Sequence, residues 1–167
     1  MRLLDSAKKI IILFDIDYTL FDTENFKQSN LKSHIIYPEV KDVLSSLDKI
    51  AVLGILSEGD VVFQMKKLKR CKIDNFFSDK HIHIVLQKNS TMYEILDIYK
   101  NNRIFIVDDK LSFLREIKLY MPSLFTIWVK RGPYAMNRQS FNDFTPDAAI
   151  INLTFINNII RERTGVN

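Results

Sequence analysis

Five consecutive apolar residues, Ile10-Ile11-Ile12-Leu13-Phe14, run without alternation into Asp15, Ile16 and Asp17, with Thr19 just beyond. A strand with no polar face has to be covered on both sides, as a central strand of a parallel sheet is between two helical layers. Two acids at i and i+2, at the carboxyl end of an extended segment, project to the same side. In an open α/β sheet that edge is where ligands bind. Carboxylates this close repel one another unless a cation or a proton sits between them. One Asp after a buried strand reads as a solvated turn, but D-x-D-x-T on such a strand asks for more.

The rest of the chain alternates strands with helices. Residues 21–36 are polar and mixed, as in a short flap followed by a helix, and Pro38 suits the first turn of a helix that places Val40, Val43, Leu44 and Leu47 on one face. Ala51-Val52-Leu53-Gly54-Ile55-Leu56 predicts a second buried strand ending in Ser57-Glu58-Gly59-Asp60, with Asp60 capping a helix over 61–71. A third strand over 81–86 delivers Gln87-Lys88-Asn89, and Thr91 with Glu94 matches a capping box opening a helix to about 100. Strand four, Arg103 to Val107, ends in Asp108-Asp109. A helix with Phe113, Leu114 and Ile117, a fifth strand over 124–129 and a last helix over 153–163 complete the series. Right-handed crossovers then give a single doubly wound, Rossmann-like α/β domain with a mainly parallel sheet and helices on both faces.

A chain of 167 residues can bury a core without staples. Its single cysteine, Cys71, excludes an internal disulfide and fits a reducing, cytoplasmic setting. The N-terminal apolar run is too short to span a bilayer and is followed by acids, so neither an anchor nor a signal peptide is expected. The net charge of +4 favours an anionic substrate. The basic cluster Lys66, Lys67, Lys69, Arg70 and Lys72 reads as a solvated helix face; without interleaved aromatics, nucleic acid is not the expected partner.

Four strand ends carry complementary groups: Asp15 and Asp17, Ser57, Lys88, and Asp108 with Asp109. Parallel strands bring them to one edge, where phosphoryl transfer needs this set: an oxygen nucleophile, a divalent cation, donors for equatorial oxygens and an acid for the leaving group. Asp15 is the expected nucleophile and Asp17 the expected general acid. Ser57 would donate to the phosphate with the backbone N–H groups of Glu58 and Gly59, and Lys88 would supply positive charge. Asp109 and Asp108 would complete an oxygen-ligand Mg²⁺ site with Asp15 and the Asp17 carbonyl. Singly, Ser57 reads as a helix-entry residue, Lys88 as a solvated lysine rivalled by Lys80 or Lys100, and Asp108-Asp109 as a turn. Their common order is the argument. His81 and His83 alternate on strand three, but two ligands do not make a metal site.

Asp15-Ile16-Asp17-Tyr18-Thr19-Leu20 resembles the first motif of haloacid dehalogenase-like hydrolases, mostly phosphatases that pass through an aspartyl phosphate. Ile55-Leu56-Ser57-Glu58-Gly59 resembles the second motif, Lys88 before a helix the third, and Ile104-Phe105-Ile106-Val107-Asp108-Asp109 the fourth. The resemblance implies strand order 5-4-1-2-3 and a Mg²⁺-dependent phosphatase of a small phosphorylated metabolite. It departs at Tyr18, where a glycine is common, and at Asn89, where a proline is usual. Many relatives insert a cap domain, but only about 40 residues separate Asp17 from Ser57 and about 30 separate Ser57 from Lys88. A single domain over 1–167 is therefore expected, with a flap at about 21–37 in place of a cap. Such an open site would act on macromolecules, such as phosphoprotein or nucleic-acid ends, or borrow a second copy as a lid near Tyr18 and Arg131. A non-catalytic module on the same fold is the alternative of another class.

Overall fold

The computed structural model describes residues 8–136 and 143–166; residues 1–7, 137–142 and 167 of the expected domain lie outside the described residues. Six strands, β1 (Ile10–Phe14), β2 (Val52–Glu58), β3 (Ile82–Val85), β4 (Arg103–Asp108), β5 (Phe125–Val129) and β6 (Ala148–Ile150), form one sheet in the order β3-β2-β1-β4-β5-β6. Every neighbouring pair is parallel. The first five strands follow the order implied by the resemblance. β6 extends the sheet beyond β5, and the sequence reading missed it because three residues are too few to show a period.

The two-sided burial of β1 sorts its side chains by parity. Ile10, Ile12 and Phe14 enter a core with α2 (Val40–Leu47), α3 (Val61–Arg70) and α7 (Ile156–Thr164). Ile11 and Leu13 enter the opposite core, filled by Met92, Ile95 and Leu96 of α4 (Lys88–Tyr99) and Phe113, Leu114 and Ile117 of α5 (Leu111–Tyr120). β2 carries Gly54 where it does because a Cβ there would lie 2.6 Å from the His81 carbonyl oxygen and 2.6 Å from Leu13. No bulkier residue lets β2 pack this closely against the turn before β3.

Three local expectations need correction. β2 continues to Glu58, so Ser57 sits inside the strand. α4 starts at Lys88, three residues before the expected capping box, because the Glu58 carboxylate accepts from the Lys88 backbone N–H at 3.2 Å and supplies a tertiary cap. The segment after β1 holds α1 (Thr23–Gln28), capped by Asp22 accepting from Asn25 N–H at 2.9 Å, and returns to the sheet side through an antiparallel bridge between Phe21 and Ile36. A short helix, α6 (Gly132–Met136), follows β5 and was not expected. Among the described residues, no helix is long and apolar enough to cross a membrane.

Candidate active site

The carboxyl ends of β1 and β4 lie side by side, with Asp15 N–H donating to the Val107 carbonyl at 2.9 Å. This register brings Asp15, Asp108 and Asp109 together, one oxygen of each within 4.8 Å of the others, all three buried. Lys88 reaches them from the first turn of α4. Its ammonium donates to Asp15 Oδ1 at 2.8 Å and to Asp108 Oδ2, while the Phe113 ring covers it at 4.3 Å. Only 2% of this lysine is exposed, so the solvated alternative is excluded.

With all three acids ionised, three carboxylates facing one ammonium would leave a surplus of two negative charges, which one bound divalent cation would balance. Burial, and then the neighbouring Asp108 and Asp15 charges, push Asp109 up to about 9. Burial raises Asp15 to about 6 although Lys88 pulls the other way. Burial alone would lower Lys88, yet Asp108 and Asp15 carry it above its ordinary value, so the lysine stays charged. One ammonium, already shared between Asp15 and Asp108, is too little positive charge to keep a third buried acid, Asp109, ionised as well. Asp109 Oδ2 is buried with no hydrogen-bond partner. An orphaned oxygen beside surplus negative charge, in an all-oxygen set, fits a hard cation such as Mg²⁺.

Asp17 stands apart from that cluster. Its Oδ1 accepts from Thr23 Oγ1 at 2.6 Å and from Lys67 Nζ at 2.7 Å; its Oδ2 accepts from Gln64 Nε2 at 2.8 Å and from Lys67 Nζ at 2.8 Å. Burial would raise this carboxyl, but the Lys67 ammonium and the donors around it hold it below its ordinary value. Lys67 therefore corrects the sequence reading: it is 4% exposed and does not belong to a solvated face. The available signal was its spacing, since Asp60, Gln64 and Lys67 recur at i, i+4 and i+7 and share a side of α3.

Ser57 is buried, with Gln64 Nε2 3.4 Å from its hydroxyl. Gly59 N–H, expected to face a phosphate, donates instead to the Val85 carbonyl at 2.8 Å, because β2 and β3 pair up to this point. Asp60 caps α3 as predicted, accepting from Phe63 N–H at 2.8 Å. A cleft of about 170 Å³ opens over the site, lined by Asp15, Asp17, Tyr18, Glu58, Asp109 and Lys110 among others. Tyr18 does line the mouth, at a left-handed φ of 57°, and its ring lies so close to Gly132 that a Cβ there would come within 2.5 Å. Arg131, expected near a docking copy, is engaged within the chain by the Thr19 carbonyl, Glu39 and the Tyr37 ring. His81 Nδ1 and His83 Nε2 both sit at the Tyr99 hydroxyl, at 2.9 and 2.7 Å, which accounts for the pair without a metal.

No protein-family model matches the sequence, and no curated protein matches it either. Solved structures do. One described as a haloacid dehalogenase-like hydrolase, from Burkholderia xenovorans, superposes with a TM-score of 0.78 over 93% of this chain and 98% of its own, at 19% identity. This chain has the haloacid dehalogenase-like fold. The same fold recurs in a protein described as a phosphatase from Clostridium difficile (TM-score 0.68, 19% identity, 93% and 100% covered). It recurs again in a HAD-hydrolase from Bacillus subtilis bound to magnesium (0.66, 14%, 95% and 100%). In this haloacid dehalogenase-like domain, Asp15, Lys88, Asp108 and Asp109 meet at one point, with Ser57 on the next strand and Asp17 turned toward α3.

Proposed function

We propose that this chain is a Mg²⁺-dependent phosphatase that hydrolyses phosphomonoesters through an aspartyl phosphate on Asp15. The observation that carries the reading is the charge balance at the strand ends: three buried carboxylates, one ammonium and an orphaned Asp109 oxygen. Asp15, Asp109, Asp108 and the Asp17 carbonyl would hold the cation, which would offset phosphate charge when bound. An Asp15 oxygen attacks phosphorus, the P–O bond to the leaving group breaks, and the departing alkoxide takes a proton from Asp17, which, held as an anion by Lys67 in the free chain, must first take that proton up from solvent. Asp17 then removes a proton from water, whose oxygen attacks the same phosphorus; the P–O bond to Asp15 breaks and inorganic phosphate leaves. Ser57 donates to a phosphate oxygen, Lys88 keeps Asp15 oriented, and the 21–37 segment flanks the entrance as a flap.

A small phosphorylated metabolite is the substrate class we favour, because most of the motifs that resemble haloacid dehalogenase-like hydrolases resemble the branch acting on small molecules, and the cleft of about 170 Å³ would take the phosphate. The fold neighbours described as phosphatases support the reaction class. The test is hydrolysis of an aryl phosphate with Mg²⁺, with chelator, and with Asp15→Asn. Activity should require the cation and fall by about a thousandfold or more in the variant while the circular dichroism spectrum is kept. Full activity in chelator would refute the mechanism, and inactivity of the wild type across a panel of phosphate esters would favour the non-catalytic module.

A second reading, action on a phosphate carried by a larger chain, is favoured by a large side chain exposed at the entrance: Tyr134 lines the cleft and is 46% exposed.

A further inference from the structure

The basic helix α3 hides a device that the phosphatase reading does not use. Lys67 is buried while its helix neighbours Lys66, Lys69 and Arg70 carry the exposed charge. Its ammonium lies between two rings, 5.1 Å from the centre of Phe21 and 4.9 Å from that of Phe63. Both oxygens of Asp17 accept from it. Lys67 does not line the cleft, and its ammonium is engaged by both Asp17 oxygens and the two rings. Gln64, one turn earlier, reaches Asp17 Oδ2 at 2.8 Å and the Glu58 carbonyl at 2.9 Å, tying the same carboxylate to the end of β2. Fixing a lysine costs rotamer freedom, and the two rings restrict Lys67 independently of its contact with Asp17.

We propose that Lys67 is a positioning residue: acting through Asp17, it fixes where the acid–base carboxylate stands relative to Asp15. This inference rests on the assignment of Asp17 as acid and base, and the experiment separates the two. Lys67→Met, Lys67→Arg and Asp17→Asn are compared with wild type on two Mg²⁺-supported substrates, an aryl phosphate whose leaving group needs no proton and an alkyl phosphate whose leaving group does. Misplacing an acid costs about 100-fold where a proton is required, so Lys67→Met should lose about that much kcat on the alkyl ester and about tenfold or less on the aryl ester. KM should be little changed, because Lys67 lies off the cleft, and Lys67→Arg should recover most of the loss. Where Lys67→Met does not fold, Lys67→Gln keeps the volume and is read in the same way. Equal losses on both esters, or none, in a Lys67 variant, while Asp17→Asn shows the selective loss, overturn the positioning role and leave the acid–base reading intact. If Asp17→Asn itself shows no dependence on the leaving group, the acid–base reading fails and the inference falls with it.

Discussion

Lys88 shows how much a single side chain can hold together. Its place after strand three named it ahead of Lys80 and Lys100, but its reach to Asp15 and Asp108, across 73 and 20 residues of chain, is a contact that no local window contains. Removing it by Lys88→Met would leave buried carboxylates without a counter-charge, a loss of about 3–5 kcal/mol at neutral pH by urea unfolding in chelator. The loss should shrink toward pH 5, where Asp15 protonates readily. The acids make a second prediction. Asp109 and Asp15 have pKa values raised in the fold, to about 9 and about 6, so the native state binds more protons than the unfolded chain. Their contribution to stability is full below the ordinary carboxyl range and is lost as pH rises through those values. The melting temperature in chelator should therefore fall between about pH 6 and pH 9, and added Mg²⁺ should raise it most at the alkaline end. A metal-free melting temperature that climbs across that window would contradict the burial argument. Lys67 was misread for a related reason: composition marks a helix as basic, but not which of its cations turns inward to meet an acid beyond the end of β1.

At the scale of elements, β1 was legible because five apolar residues in a row have few structural uses. Alternating strands and helices then dictated the parallel order, and Asp60 was recognisable as a cap from its place before Val61. α4 was placed three residues late because its start is fixed by Glu58, 30 residues away, and local capping signals cannot report a tertiary cap. β6 is held by pairing with β5 and by the Asp147 carboxylate, which accepts from Thr126 N–H and from Lys118, contacts that no short window contains. Of the site residues, those at strand ends could be read from order, whereas Gln64 and Lys67 sit mid-helix and needed the fold. α3 consequently carries both a cap and the grip on Asp17. Asp60→Ala should cost about 1 kcal/mol of stability. It should also lower turnover severalfold, by loosening the first turn that precedes Gln64. A stability loss with unchanged kcat would show that the grip does not depend on how the helix begins.

For the molecule as a whole, the entrance would set which phosphate esters the proposed phosphatase can take. If the 21–37 segment is the flap we propose, a small substrate is poorly shielded from water, and we expect KM toward the millimolar end of the usual range of roughly 1 μM to 1 mM. Raising ionic strength separates the two substrate readings. One phosphate responds weakly to salt, whereas a polyanion bound through several lysines loses affinity steeply. Micromolar KM for small sugar or nucleotide phosphates in a monomer would contradict the open-entrance account. The width of that entrance traces to a missing atom. Tyr18 can stand where it does only because residue 132 has no side chain, so the loop after β5 and the loop after β1 share one narrow seam. A side chain at residue 132 would have to enter at a left-handed φ of 65° and would press on the Tyr18 ring, so it would strain the loop after β5 and crowd the opening together. Under the proposed function, what reaches the acids is thus set at a seam that contains none of them.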